Sequence, residues 1–131
     1  MKALDTGVLL GLLEGSSRAR EAVRKLRGSE VATTEANLLE LAYLAAEAPP
    51  KARTARLAAL EKLRQRLTVV PIDARASREA GLRVCRLGGK ISPAVGLMLG
   101  ALEAAGCEEL LTDDPRSVVG DWAMKVRVVA V

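Results

Sequence analysis

Short apolar or β-branched runs alternate with amphipathic helical stretches along the chain, and no Asn-Gly hairpin signal joins any two of them. Strands that cannot turn straight back on themselves must be joined by crossover helices, so the pattern predicts an α/β sandwich around a mainly parallel sheet. Lys2 to Leu4 reads as a strand, and Asp5-Thr6 opens an apolar helix over Val8 to Leu13 that ends at Glu14-Gly15. A second helix runs from Arg18 to Arg27, with Ala22, Val23 and Leu26 inward and Gly28 as its stop. A strand at Glu30 to Thr33 precedes a helix over Glu35 to Glu47, on which Leu38, Leu39, Leu41, Ala42 and Ala45 recur at helical spacing until Pro49-Pro50. Ala52 to Leu67 carries Leu57, Leu60, Leu63 and Leu67 on one stripe and bases elsewhere. Thr68 to Ile72 is a strand, Asp73 caps a helix over Ala74 to Leu87, and Gly88-Gly89 ends it. Ser92 starts a last helix through Ala105, stopped by Gly106; Glu109 to Thr112 and Lys125 to Val131 are strands.

At 131 residues, half of them apolar, the chain suffices for one core and is too short for two, so one domain over residues 1–131 is expected. With no histidine, serine–histidine triads and zinc–histidine sites are excluded. Tyr43 and Trp122 are the only aromatics, which leaves almost nothing on which bases could stack, so contact with nucleic acid would be electrostatic. Apolar runs break within about ten residues, well short of the ~20 that span a bilayer, and Asp5 falls where a secretory signal would be apolar. No membrane association and a cytoplasmic location are therefore expected. Cys85 and Cys107 read as small buried hydrophobes rather than a bridge, although a thermophilic source would permit a disulfide. Asn37 and Gln65 are the only side-chain amides, a scarcity that fits a thermophile and equally a GC-rich genome.

The net charge of +4 hides an uneven distribution. Between Ser16 and Lys90 stand sixteen Lys or Arg against eight Asp or Glu, whereas the two flanks hold four bases and eight acids. A basic middle suits a polyanion, and the acidic ends suit a cation; solvated helix faces are the plainer explanation of any single stretch.

Three carboxylates stand where the strand ends of a parallel sheet could collect them: Asp5 after the first strand, Glu40 on the third helix, and Asp114 after Leu110-Leu111-Thr112. Crowded carboxylates repel one another, and an all-oxygen set selects Mg²⁺ or Mn²⁺, which points to phosphodiester chemistry. Each acid also has a structural explanation. Asp5 caps the first helix, Glu40 closes a capping box with Asn37, and Asp114 begins a turn with Pro115. Glu35 lies nearly opposite Glu40 around the helix, near its positive end. Gly96 and Gly100, four apart, permit a tight helix contact. Asp5-Thr6-Gly7 is also the triplet of aspartic proteases, but those need two such aspartates on β-hairpin loops, whereas a helical run follows here.

Taken in order, Leu4-Asp5-Thr6-Gly7-Val8-Leu9-Leu10, Asn37-Leu38-Leu39-Glu40-Leu41-Ala42-Tyr43 and Leu110-Leu111-Thr112-Asp113-Asp114-Pro115 resemble the three diagnostic segments of PIN domains, the fold of VapC-type toxin ribonucleases. The resemblance implies a three-layer α/β/α fold and Mg²⁺- or Mn²⁺-dependent cleavage of RNA. It implies a site of Asp5, Glu40 and Asp114, with the hydroxyls of Thr6 and Thr112 beside the acids, and it implies homodimers and, for a toxin, an antitoxin partner. One family position departs. Where the family places Ile-Ser-Leu-Ala-Asp, this chain reads Ile91-Ser92-Pro93-Ala94-Val95, so a valine stands in place of an aspartate. Glu103, eight residues on and about 12 Å along the helix, is too far to substitute, and Asp113 is expected to turn its side chain away from Asp114. Two readings stay open: a weakened metal-dependent nuclease, or a catalytically silent module for RNA binding or oligomerisation with Val95 packed in the former metal pocket.

Overall fold

A computed structural model of the chain describes residues 1–86, 90–115 and 126–131. In chain order the described elements are β1 (Lys2–Leu4), α1 (Thr6–Leu13), α2 (Ser17–Arg24), β2 (Val31–Thr34), α3 (Glu35–Ala46), α4 (Pro50–Gln65), β3 (Thr68–Val70), α5 (Ala74–Arg86), α6 (Pro93–Ala104), β4 (Glu109–Thr112) and β5 (Arg127–Ala130). The strands form one sheet in the order β3-β2-β1-β4-β5, and every pairing is parallel.

The layering follows from the two-residue alternation of the strands. In β1, Ala3 faces a cluster with Ala76, Leu99 and Leu102, whereas Leu4 faces a cluster with Val8, Leu9, Leu41 and Leu60. In β4, Leu110 and Leu111 divide the same way. Helices α5 and α6 thus cover one face and α1 to α4 the other, giving the expected three-layer α/β/α arrangement. Each fully buried leucine, such as Leu4 or Leu99, contributes on the order of 1.5–3 kcal/mol. Gly100 lets α6 approach α5 closely, since a Cβ there would stand 3.3 Å from the Ala76 carbonyl and 3.4 Å from the Ala80 Cβ.

Several boundaries differ from expectation for local reasons. Helix α2 stops at Arg24 and the chain turns to Gly28, whose φ of +87° is open to glycine. Strand β2 is shifted one residue on, because Thr34 both ends it and caps α3. Helix α4 begins at Pro50, a position where the missing N–H costs nothing, and β3 ends at Val70 because Pro71 cannot donate to a ladder. Leu39 is 71% exposed and Leu57 is also exposed, so neither reaches the core as the helical spacing predicted. Cys107 is buried, but Cys85 is exposed and both are free thiols. Asp73 caps α5 through the Ala76 amide at 2.8 Å, as expected. The stop of that helix at Gly88-Gly89 lies outside the described residues, as does Lys125; β5 starts at Arg127. Among the described residues no helix is long and apolar enough to cross a membrane.

Because the α5–α6 contact has no spare volume at Gly100, Gly100→Val is expected to destabilise the fold by about 1–3 kcal/mol. Urea unfolding monitored by circular dichroism reads this directly; an unchanged midpoint would show that the two helices are not in contact there.

Candidate functional site

The sheet order reverses at β1: the chain leaves it for β2 and β3 on one side, and the crossover from β3 returns to place β4 on its other side. That reversal opens a crevice at the carboxyl ends of β1 and β4, where functional groups of such sheets gather. A cavity of about 280 Å³ lies there, lined by Asp5, Thr6, Gly7, Asn37, Glu40, Ala94, Val95, Met98, Asp113 and Asp114. The three acids predicted from separate segments therefore share one cavity, and Val95 lies in its wall.

Asp5 is held most firmly. Its backbone N–H donates to the Leu111 carbonyl at 3.0 Å, tying the end of β1 to β4. Its side-chain Oδ1 accepts the Val8 amide at 3.1 Å, so Asp5 is also the N-cap of α1, as its bland reading required. Thr112 is fully buried behind the cavity; its hydroxyl hydrogen-bonds the Asp5 carboxylate and accepts the Asp114 amide at 3.1 Å. Thr112 thus links two of the acids without facing the cavity itself. Asp5 is only 8% exposed, and this burial, reinforced by the charge of Asp113, pushes its carboxyl above the ordinary value against the hydrogen bonds that favour the charged form.

Helix α3 brings Asn37 and Glu40 to the opposite wall. Thr34 and Asn37 cap each other's backbone amides, each at 3.3 Å, and the Thr34 hydroxyl donates to Asn37 Oδ1 at 2.7 Å. The capping box is therefore Thr34 with Asn37, and Glu40 takes no part in it. The free end of Asn37 reaches across: its Nδ2 donates to Thr6 Oγ1 at 3.1 Å and to the Met98 sulfur at 3.2 Å. Thr6 is accordingly not a cap but a joint, pinning the starts of α1 and α3 together. Three helix N-termini, those of α1, α3 and α6, meet at this cavity, an arrangement that favours anionic groups such as phosphate. Glu40 itself is exposed at the cavity's edge.

Other acids are removed from consideration by their partners. Glu35 holds Arg64 through both oxygens, at 2.6 and 3.2 Å, and Glu103 holds Arg83 on the far side of α6. Asp113 corrects an expectation in the other direction. It lines the same cavity as Asp114 and leans over Gly7, close enough to disfavour the charge of Asp5. Its adjacency to Asp114 at a strand end was the available signal; for Asn37 it was the three-residue spacing to Glu40. Among the described residues no three Asp, Glu, Cys or His side chains gather tightly enough to enclose an ion. The donor set still fits a hard divalent cation that keeps most of its waters, because carboxylate oxygens line the cavity and Mg²⁺ commonly uses only one or two carboxylates.

A family model described as PIN domain matches residues 2–117. The fold is similar to that in the crystal structure of VapBC2 from Rickettsia felis bound to a DNA fragment from their promoter, with a TM-score of 0.81 at 14% identity, covering 99% of this chain and 98% of that one. DNA-bound VapBC from Salmonella typhimurium gives 0.80 at 21% identity, covering 97% and 96%. VapBC-5 of the VapBC family of toxin-antitoxin systems, from Mycobacterium tuberculosis, gives 0.71 at 24% identity, covering 99% and 98%. No curated protein matches the chain.

The raised carboxyl of Asp5 has a consequence for stability. Folding makes this group bind its proton more tightly, so it opposes folding at neutral pH, and that opposition is relieved as pH falls through its raised native value toward the ordinary 3.8. With chelator present, Asp5→Asn keeps the cap oxygen, removes the charge, and is expected to raise the thermal midpoint at pH 7, with the gain over wild type shrinking in acid. A lower midpoint at pH 7 would show that the Asp5 charge is stabilised in the fold.

Proposed function

The chain belongs to the PIN domain family, and we propose that it is a VapC-toxin-like ribonuclease that hydrolyses RNA phosphodiesters with Mg²⁺ or Mn²⁺, its ion site weakened at Val95. The observation that carries this reading is the meeting of Asp5, Glu40 and Asp114 in one cavity at the sheet's switch point. Asp5 and Asp114 would hold the ion, and Glu40 would complete its shell or orient the attacking water. A bound divalent ion supplies charge neutralisation on the phosphate and a more acidic water.

The rest of the work falls to the chain's own groups. Thr112 keeps the Asp5 carboxylate in its rotamer, and Asn37 with Thr6 holds the two helix starts at a fixed separation. The amides at those starts face an incoming phosphate with positive dipole ends. Lys51, Arg53, Arg56 and Lys62 are exposed on α4, with Arg66 exposed at its C-cap, and give the RNA an electrostatic track. In place of a fourth acid, Val95 offers only hydrocarbon, and loss of a ligating carboxylate is expected to cost at least the ~10–100-fold that even an outer-shell loss costs.

The catalytically inactive module remains a second reading, favoured by Val95, which packs against the α5–α6 core cluster as a hydrophobe would. In either case the partners proposed are RNA, an antitoxin protein of the kind named for the VapBC structures, and a second copy of the chain in a cytoplasmic homodimer. The exposed Leu39 and Tyr43 on α3, 71% and 63% accessible, are consistent with such a contact.

Cleavage of a structured RNA with Mn²⁺ separates the two readings. Slow wild-type cleavage lost in Asp5→Asn and raised at least tenfold in Val95→Asp is expected for the nuclease; no cleavage by either the wild type or Val95→Asp would leave the silent module. RNA affinity should fall linearly with the logarithm of salt, and each of Arg53→Ala, Arg56→Ala and Lys62→Ala should reduce that slope by about one.

A further inference from the structure

We propose that Asp113 takes the place at the ion that Val95 cannot fill, so that the site of this chain is organised around an Asp5–Asp113 pair. The inference rests on the metal-dependent reading above and says which residues carry it here.

The geometry begins at Gly7. A Cβ built there would stand 2.0 Å from Asp113 Oδ1 and 2.4 Å from both Cγ and Oδ2, so the Asp113 carboxylate occupies the space that any side chain at position 7 would need. A side chain at position 7 would displace this carboxylate; backbone angles make no such demand there, since the only positive-φ glycines described are Gly15, Gly28 and Gly106. Asp113 is exposed and free to swing into solvent, yet it lies inward against the first turn of α1, beside a carboxylate whose charge it disfavours.

Two like charges held together need a counter-charge. Several carboxylates elsewhere have one: Glu21 pairs with Arg24, Glu35 with Arg64, Glu103 with Arg83, and Glu109 with both Lys2 and Arg127. Among the described residues no lysine or arginine forms an ion pair with Asp5, Glu40 or Asp113. In a chain with a net charge of +4, Asp5 and Asp113 stand together with no basic partner among the described residues, which leaves room for a cation from solution. Val95 closes one wall to ligation, and Asp113 opens another.

Mn²⁺ titration of the full chain, read by calorimetry and by loss of the free-ion paramagnetic signal, tests this without any assay of activity. Asp113→Asn should weaken binding at least tenfold. Gly7→Ala keeps every charge but forces the Asp113 carboxylate aside, and should weaken binding likewise. Val95→Asp in the Asp113→Asn background should restore it. Circular dichroism checks that each variant folds; should Gly7→Ala fail, Asp113→Asn and its rescue decide. Binding that is lost in Asp5→Asn but unchanged in Asp113→Asn would overturn the role of Asp113 and leave the metal-dependent reading standing. No binding by the wild type at millimolar Mn²⁺ would overturn both.

Discussion

The hydrogen bond from the Asp5 amide to the Leu111 carbonyl is the contact on which the site depends. It closes the β1–β4 ladder at its carboxyl end, in a register that sets Leu4 beside Leu111. A slip of one residue would exchange Leu4 for Ala3 between the two core faces and turn the side chain of Asp5 out of the crevice. The apolar alternation that specifies the two cores therefore also specifies where the carboxylate stands. Packing and chemistry are not separate layers here: Thr112, the last residue of β4, is fully buried and spends its hydroxyl on holding two acids in relation to each other.

Electrostatics divides the molecule into two regimes. On the surface, acids and bases pair at close range, and those pairs contribute little to stability because solvent screens them. Their effect is to neutralise Glu21, Glu35, Glu103 and Glu109, all outside the cavity. The exposed bases of α4 remain available, while Asp5, Glu40 and Asp113 at the sheet's switch point have no such partner among the described residues. The uneven distribution of charge along the chain thus becomes a division in space, with α4 and the cavity as its two poles.

Much of this was readable in advance because it depends on local rules. Crossovers, caps and helix stops follow from residue type at short range, which is why Asp73 at the start of α5 and the parallel sheet came out as expected. The meeting of Asp5, Glu40 and Asp114 needed the family resemblance, since nothing in periodicity relates segments 35 and 74 residues apart. What could not be read were features decided by a neighbour distant in the chain. Leu39 sits on an apolar helix yet points away from any partner in the described fold. Cys85 faces solvent because α5 turns its other side to α6. The place of Asp113 was not readable either: the chain leaves β4 at that point, and its carboxylate lies over Gly7, a residue more than a hundred positions away.

Capping alone does not explain Asp5. An N-cap requires only an oxygen that accepts an amide, and serine, threonine or asparagine serves about as well as aspartate. Asp73 shows the inexpensive form of the same device, a carboxylate capping α5 at an exposed position where its charge stays hydrated. Asp5 performs the cap while 92% shielded, beside a second carboxylate and without a basic partner among the described residues, which disfavours its charged form. Thr33 and Thr34, equally buried at the neighbouring strand end, meet their hydrogen-bonding needs with neutral hydroxyls. A charge placed against its own desolvation, where a neutral oxygen would hold the helix, is accounted for when that charge has a ligand to bind.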